Sequence, residues 1–449
     1  MASFPKKRLF AGGLASVFML QAGGVSAMGL IQAYEFALQN DPTYLAAIHE
    51  NEAGKQNRVL GRSSLLPNVS ANYSTSRNRA DITAPSFGET VTSHPVYTSK
   101  IATIGVRQPL INLEGIARYQ QGIAQSNYSD AVFSSRAKDL VLRLVSAYAD
   151  AKYAEDQLAL AVAQRDAFAE QMHVNESMFK KGEGTRTDTL ETQAKYDFAE
   201  AQVIEARDNL TTARNTLAAI VGTDVTQLDS LSENFQVQPL QPAGFDAWKA
   251  IALEQNADIA AQRYAVEASR QEVNKNRAGH APRVDMVASY SKNEGETLNT
   301  YNQESTSRNI GFQVNIPLYS GGAVSAATSQ AVSNYEKAKS DLEAKTSQML
   351  VELRKQHSLV LSSATKIDAL VKSVNSAKLL VTATEQSIKG GVRINLDLLN
   401  AQQQLYTARR DLAQARYNYL LSYLRLRSAA GTLNNDDVRY VAGYFVASR

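Results

Sequence analysis

The sequence predicts an α+β membrane protein in which one strand-and-long-helix unit occurs twice and the strands belong to a β-barrel shared between subunits. Three observations carry that expectation. The prolines leave two long spans free for helices, the two halves of the chain match in sequence, and an export signal precedes a chain with no other segment able to cross a membrane as a helix.

Taking the chain in order, residues 1–27 have the parts of a secretory signal. Lys6, Lys7 and Arg8 form a basic start, Leu9 to Leu20 is a short apolar run, and Val25-Ser26-Ala27 is a small-residue cleavage site before Met28. The run is too short for a membrane span, which needs about 20 apolar residues. Cleavage would remove three bases and no acids, taking the formal charge from +3 to about zero. Charge therefore gives no support to nucleic-acid binding. Cysteine is absent, which excludes disulfides, thiolate metal sites, thiol catalysis and a lipid anchor on an N-terminal cysteine.

All ten prolines lie at 5, 42, 67, 85, 95, 109, 239, 242, 282 and 317, so 110–238 and 318–449 contain none. Proline costs about 3 kcal/mol in a helix interior, so these spans are where long helices can run. The halves echo each other in register. Leu66-Pro67-Asn68-Val69 corresponds to Ala281-Pro282-Arg283-Val284, Gln108-Pro109-Leu110 to Ile316-Pro317-Leu318, and Thr187–Gln193 to Leu396–Gln402. The expected plan is a first repeat over 28–222, a connector over 223–275, a second repeat over 276–434 and a tail over 435–449.

The strand pairs, about 67–110 and 283–319, show period-two alternation. Val69, Ala71 and Tyr73 oppose Ser70, Asn72 and Ser74, and Ile310, Phe312, Val314, Ile316 and Leu318 oppose Gly311, Gln313 and Asn315. One apolar and one small polar face suit a barrel wall between lipid and water; a soluble sandwich with one wet face is the alternative. The polar stretches 79–96 and 293–306 read as exposed loops. Four strands cannot close a membrane barrel, for which about eight is the smallest solution. An open edge in lipid leaves backbone groups unpaired, so the barrel must be completed by other subunits.

The helical spans, about 116–221 and 322–431, carry heptads. Leu353, Val360, Ile367, Val374, Val381 and Ile388 are spaced by seven, as are Leu398, Leu405, Leu412 and Tyr419. The first half has Leu140, Ala147, Ala154, Ala161 and Phe168, with Val203, Leu210 and Leu217 on the returning helix. Such repeats mark antiparallel coiled coils, and their alanines permit close approach. Each hairpin turns at glycines, Gly182 and Gly184 in one half and Gly390 and Gly391 in the other.

Chemistry-bearing motifs are missing. The histidines at 49, 94, 173, 280 and 357 have no ligand spacing, and His173 and His357 read as surface residues of long helices. Gly182-x-Gly184 does not follow a strand, so it is a turn and not a phosphate loop. No catalytic site, metal site or cofactor is expected, and the energy for any transport must come from a partner.

Several local stretches add a resemblance: Tyr34–Pro42, Leu66-Pro67, Ile316–Gly322, Ala415–Leu420 and Gly431-Thr432-Leu433-Asn434. With the duplicated order, they resemble the TolC family of trimeric outer-membrane channels over essentially the whole mature chain. The resemblance implies a homotrimer whose four strands per protomer form a 12-stranded outer-membrane barrel continued by a periplasmic helical tunnel. It also implies a gate at the helix tips: Arg393, Asp397 and Asn400 in the second repeat, Thr187 and Asp188 in the first. An Arg393–Asp188 link would be kept, while Asn400 replaces a second acid and Ile388 replaces a tyrosine. Partners by resemblance are a periplasmic adaptor at the glycine-bearing tips, an inner-membrane ABC transporter and outer-membrane lipid. The expected function is the exit channel of a type I protein secretion system, with protease or lipase cargo; the alternative is the duct of a multidrug efflux pump. The missing lipidated cysteine and the Gly431–Asn434 ending favour secretion.

Overall fold

The computed structural model describes residues 27–232, 234–297, 300–390 and 392–446. Residues 1–26 of the predicted signal, and Gly391 of the second tip, lie outside the described residues. The first repeat opens with two short helices, α1 (Leu30–Asn40) and α2 (Pro42–Ser63). They are separate because Asp41 is extended and its side chain accepts the Tyr44 amide at 2.7 Å. Pro42 takes the first helical position, where a missing N–H costs nothing.

Beyond α2 come β1 (Asn68–Arg79), a small hairpin of β2 (Ile82–Ser86) and β3 (Glu89–Ser93), and β4 (Val96–Ile111). Helix α3 (Leu113–Lys181) has 69 residues, about 100 Å at 1.5 Å per residue, and α4 (Arg186–Val221) returns along it. After a two-residue strand, β5 (Ser230–Leu231), the plan repeats as α5 (Phe245–Gln255), α6 (Ala257–Arg277), β6 (Arg283–Thr297), β7 (Thr300–Asn315), α7 (Ala323–Lys389) and α8 (Asn395–Ala429). The chain continues with α9 (Asn435–Ala442) and β8 (Phe445–Val446), which pairs with β5.

The strands run further than the apolar alternation suggested. Residues 79–96 hold the β2–β3 hairpin, and most of 293–306 is strand, with β6 and β7 in register from Arg283↔Asn315 to Thr297↔Thr300. Ladder hydrogen bonds are made by the backbone, so a strand persists where its side chains turn polar. The connector also differs, because α5 and α6 are the counterparts of α1 and α2. Asn256 separates them as Asp41 does, accepting the Ile259 amide at 3.0 Å. The second repeat thus begins near residue 245. His357, expected on a surface, is buried: the connector crosses α7 there, and its ring meets the Ala243 carbonyl at 3.1 Å and the edge of Phe245.

Each long helix packs against two short ones in succession, α3 against α2 and α4, α7 against α6 and α8. The short helices meet end to end at two equivalent joints. Gly222, with φ +80, closes α4 beside Asn40, whose amide donates to the Val221 carbonyl at 3.1 Å. Gly431, with φ +79, follows α8 beside Gln255, and Asn256 donates to the Ala429 carbonyl at 2.8 Å. The main core gathers around these joints, with Trp248, Tyr148 and Tyr419 fully buried. The heptad residues Leu140, Leu353, Val360, Ile367, Leu398, Leu405 and Leu412 are buried along the hairpins.

Candidate functional site: a barrel wall and two helix tips

The four long strands form one antiparallel sheet in the order β1-β4-β6-β7, so the two repeats join through β4 and β6. Register fixes the faces. Asn72, Thr103, Ser291 and Ser307 share one rung of one face, and Ser70, Gly105, Ser289 and Asn309 the next. Hydroxyls on this face bond across strands, as between Thr103 and Ser291 at 3.0 Å. Val69, Val106, Ala288 and Ile310 form the adjacent rung of the other face. Ile310, Phe312 and Leu318 are 79, 73 and 93% exposed, and among the described residues no second layer covers them. An uncovered apolar face of this size contradicts a soluble sandwich and suits lipid. Pro109 sits in β4 where the register shifts, a bulge that accommodates its missing donor. The outer strands β1 and β7 each leave one edge of the sheet without a partner in the chain.

Charges on the polar face are few. Arg107 is exposed there, and Arg283 pairs with the buried Asp285 at 3.0 Å. Sequence reading did not single out these residues, although their odd-numbered places in the alternation marked them.

At the far end the two tips are built differently. The first is tightly fastened. Gly182, with φ +79, closes α3, and Thr185 caps α4 in a reciprocal box: Thr185 Oγ1 accepts the Asp188 amide and Asp188 Oδ2 accepts the Thr185 amide, both at 3.1 Å. Behind it Asn175 donates to Thr192 Oγ1 at 2.7 Å. The second tip has no side-chain cap, since Ile394 occupies that position, and Gly390 has negative φ. Thr384, which stands where Asn175 stands in the first repeat, is buried with its hydroxyl unbonded.

Of the predicted gate residues, Arg393, just before α8, and Asp397, in its first turn, come together at 4.0 Å, both partly exposed. Among the described residues of one chain no Arg393–Asp188 ion pair is formed, and Asp188 Oδ2 accepts from Thr185. Thr187 and Asn400 are exposed. Val392 and Ile394 beside Arg393, and Phe179 and Leu190 on the first tip, leave apolar side chains uncovered.

Midway along the wall is a charged cluster that the heptads concealed. The buried Lys152 ammonium lies 3.0 Å from Glu155 and 3.5 Å from Asp156, and Arg214 reaches Glu155 at 3.4 Å. The Tyr417 hydroxyl donates to Asp156 at 2.7 Å. Burial pushes the Asp156 carboxyl up in pKa, against the opposing pull of Tyr417 and Lys152. The cluster ties α3 to α4 and α8 without offering a catalytic geometry.

Among the described residues no helix is long and apolar enough to cross a membrane. The profile of the family described as Outer membrane efflux protein matches residues 33–223 and 248–432. The chain belongs to this family. The two matched spans are the two repeats, the second starting within α5. The Alkaline protease secretion protein AprF of Pseudomonas aeruginosa is 44% identical over 423 residues, covering 94% of this chain and 88% of that one. The Proteases secretion protein PrtF of Dickeya chrysanthemi is 38% identical over 445 residues, covering 96% and 94%. In structure, the CmeC outer membrane channel of Campylobacter jejuni superposes with a TM-score of 0.80 at 16% identity, over 99% of this chain and 98% of that one. It shares the fold. The protein is thus an outer-membrane channel subunit, with its sheet in the membrane and its helices in the periplasm.

Proposed function

We propose that three copies of this chain form the exit channel of a type I secretion system, passing proteins from an inner-membrane ABC transporter and a periplasmic adaptor to the exterior. The observation that carries secretion over drug efflux is the similarity to two protease secretion proteins along nearly the whole chain. Three sheets of four strands would satisfy the edges of β1 and β7 and give a 12-stranded barrel. The hydroxyl- and amide-lined face would then surround water, a surface with little to hold a passing polypeptide. The chain contributes a passage and no catalytic step.

At the tips, Asp397 from each copy forms one acidic ring, and Asn400 supplies no second one. Arg393 partly neutralises that ring and, in the closed trimer, reaches Asp188 of a neighbouring copy. The uncapped second tip, with Val392 and Ile394 exposed, and the glycines Gly182, Gly184, Gly390 and Gly391 form the adaptor's contact.

The test is deletion of the gene, with comparison of secreted proteins and drug sensitivity. Loss of one or a few secreted proteins at unchanged drug sensitivity is the expected result. Unchanged secretion with increased drug sensitivity would replace this reading by the efflux duct.

A further inference from the structure

The outward face of the sheet changes character along a diagonal of four successive rungs. On β7 the side chains of Arg308, Ile310, Phe312 and Val314 share that face, so a base follows the apolar run directly. In the same register Lys292 of β6 lies one rung beyond Tyr290, and Lys100 of β4 one rung beyond Ala102, level with Thr75 of β1. Arg77 of β1 occupies the next rung. Two acids share this region, Glu294 and Glu304, and Lys292 engages both at 2.6 Å. Four bases against two acids leave a net +2 per chain. No ion pair is formed by Arg77, Lys100 or Arg308 among the described residues. Arg308 lies over the Tyr290 ring at 5.7 Å, an aromatic foothold at the edge of the apolar face. Arg77, Lys100, Glu294 and Glu304 line an open hollow of about 570 Å³.

The height of this belt identifies what it meets. From Leu110 to Lys100 are ten residue steps of β4, which at ~3.4 Å each and a tilt of ~40° rise roughly 26 Å. That is the thickness of the apolar band of an outer-membrane barrel, about 25 Å. The helices mark the periplasmic end, so the basic belt stands at the headgroup level of the outer leaflet. A cationic patch continuous with a lipid-facing girdle favours anionic lipid headgroups.

We propose that Arg77, Lys100 and Arg308 bind the phosphate groups of phosphorylated glycolipids in the outer leaflet. Lys292 offsets part of the charge of the two acids that share the hollow, and Tyr290 positions the Arg308 guanidinium. Guanidinium groups engage phosphate in bidentate fashion, so the belt selects phosphate over sugar hydroxyls. The inference rests on the barrel and its orientation, not on the cargo.

The test titrates the purified full-length oligomer in detergent with bis-phosphorylated lipid A and, separately, with its dephosphorylated form. Native mass spectrometry reads bound lipid, and thermal melting reads oligomer stability. The expected result is retention of the phosphorylated form at least tenfold above the other, falling as salt is raised, with an upward shift in melting temperature. Equal retention of both forms by the unaltered protein overturns the proposal without recourse to any variant. In the Arg77→Gln, Lys100→Gln, Arg308→Gln triple variant the preference should disappear, whereas Arg308→Lys should keep most of it; a triple variant that retains the full preference also overturns it. Conductance in planar bilayers, measured on the same samples, is expected to be unchanged. Its loss across all samples would count against the channel reading and not against the lipid site.

Discussion

At the joint between α1 and α2, Asp41 caps a helix and anchors the long helix beside it. Its carboxylate is buried and accepts two hydrogen bonds from Arg143 of α3, at 2.9 and 3.1 Å, besides the Tyr44 amide. Burial alone would raise its pKa, but the Arg143 bonds and the backbone amides outweigh that and hold it below the ordinary carboxylate value. The ionised form is therefore favoured by folding. Its stabilisation is present at neutral pH, above the unfolded value, and is lost as pH falls below about 4 toward the lower folded value. Arg143→Met leaves the carboxylate buried without its partner. A cost of about 2–3 kcal/mol is expected, under the 3–5 typical of buried pairs, because Arg143 is itself 37% exposed. Melting of the oligomer at pH 7 and pH 4 should show the variant's deficit shrinking in acid; an equal deficit at both would remove the charge argument. Pro42 marked this joint in the sequence, but no spacing rule joins residue 41 to residue 143. Arg393 invites a second measurement at this scale. If it holds the tips through Asp188 of a neighbour, Arg393→Ala raises open conductance in planar bilayers severalfold. If it only rests on Asp397 four residues on, an exposed pair worth under about 1 kcal/mol, conductance stays as it was.

Among elements, the two end-to-end joints show how a repeat becomes a tunnel wall. A Cβ at Gly431 would lie 2.3 Å from the Gln255 carbonyl oxygen, whereas one at Gly222 would meet the Asn40 side chain at 2.5 Å. Both positions have left-handed backbone, worth roughly 1–2 kcal/mol against an L-residue. Gly431→Ala adds a collision with backbone that has nowhere to go, so its total should reach about 3 kcal/mol or more. Gly222→Ala meets the Cβ of Asn40, which no rotamer moves, so it too should exceed the conformational term, but by less than Gly431→Ala, where three backbone atoms stand within 2.7 Å. Melting temperatures of the two variants check that order, and a Gly222 variant equal to or worse than the Gly431 one would refute it. The heptads were legible because their period is local, and so were the strand alternation and the glycine turns. The pairing of α5–α6 with α1–α2 was not, because it rests on an N-cap that reads Asp-Pro in one repeat and Asn-Ala in the other. Strand ends were missed for the opposite reason: outside the lipid band, side-chain polarity no longer reports on backbone pairing. The tips, too, diverge by single substitutions, Asn175 with Thr192 in one repeat against Thr384 with Ala401 in the other, which leave the period intact while removing a hydrogen bond.

For the whole molecule the decisive feature is what a single copy leaves unfinished. β1 and β7 present free edges of 12 and 16 residues, and in lipid each unpaired backbone group costs several kcal/mol. No rearrangement of four strands removes both edges. A flat sheet of such length is also a template for uncontrolled pairing, so closure must stop at a definite number of copies. The absence of cysteine makes this directly measurable. One cysteine in β1, at Asn72, combined in turn with one at Asn309, Ser307 or Ser305 of β7, places thiols on the polar face of both edges. In one chain these strands are separated by β4 and β6, a distance no disulfide spans. Mild oxidation of membranes should therefore give covalent dimers and trimers for at least one register, a closed trimer as the limit, and nothing larger. A ladder that continues past three would mean open-ended strand addition. A ladder ending at two would mean an eight-stranded barrel, too narrow for a polypeptide beside its own side chains, and the secretion reading would fail with it.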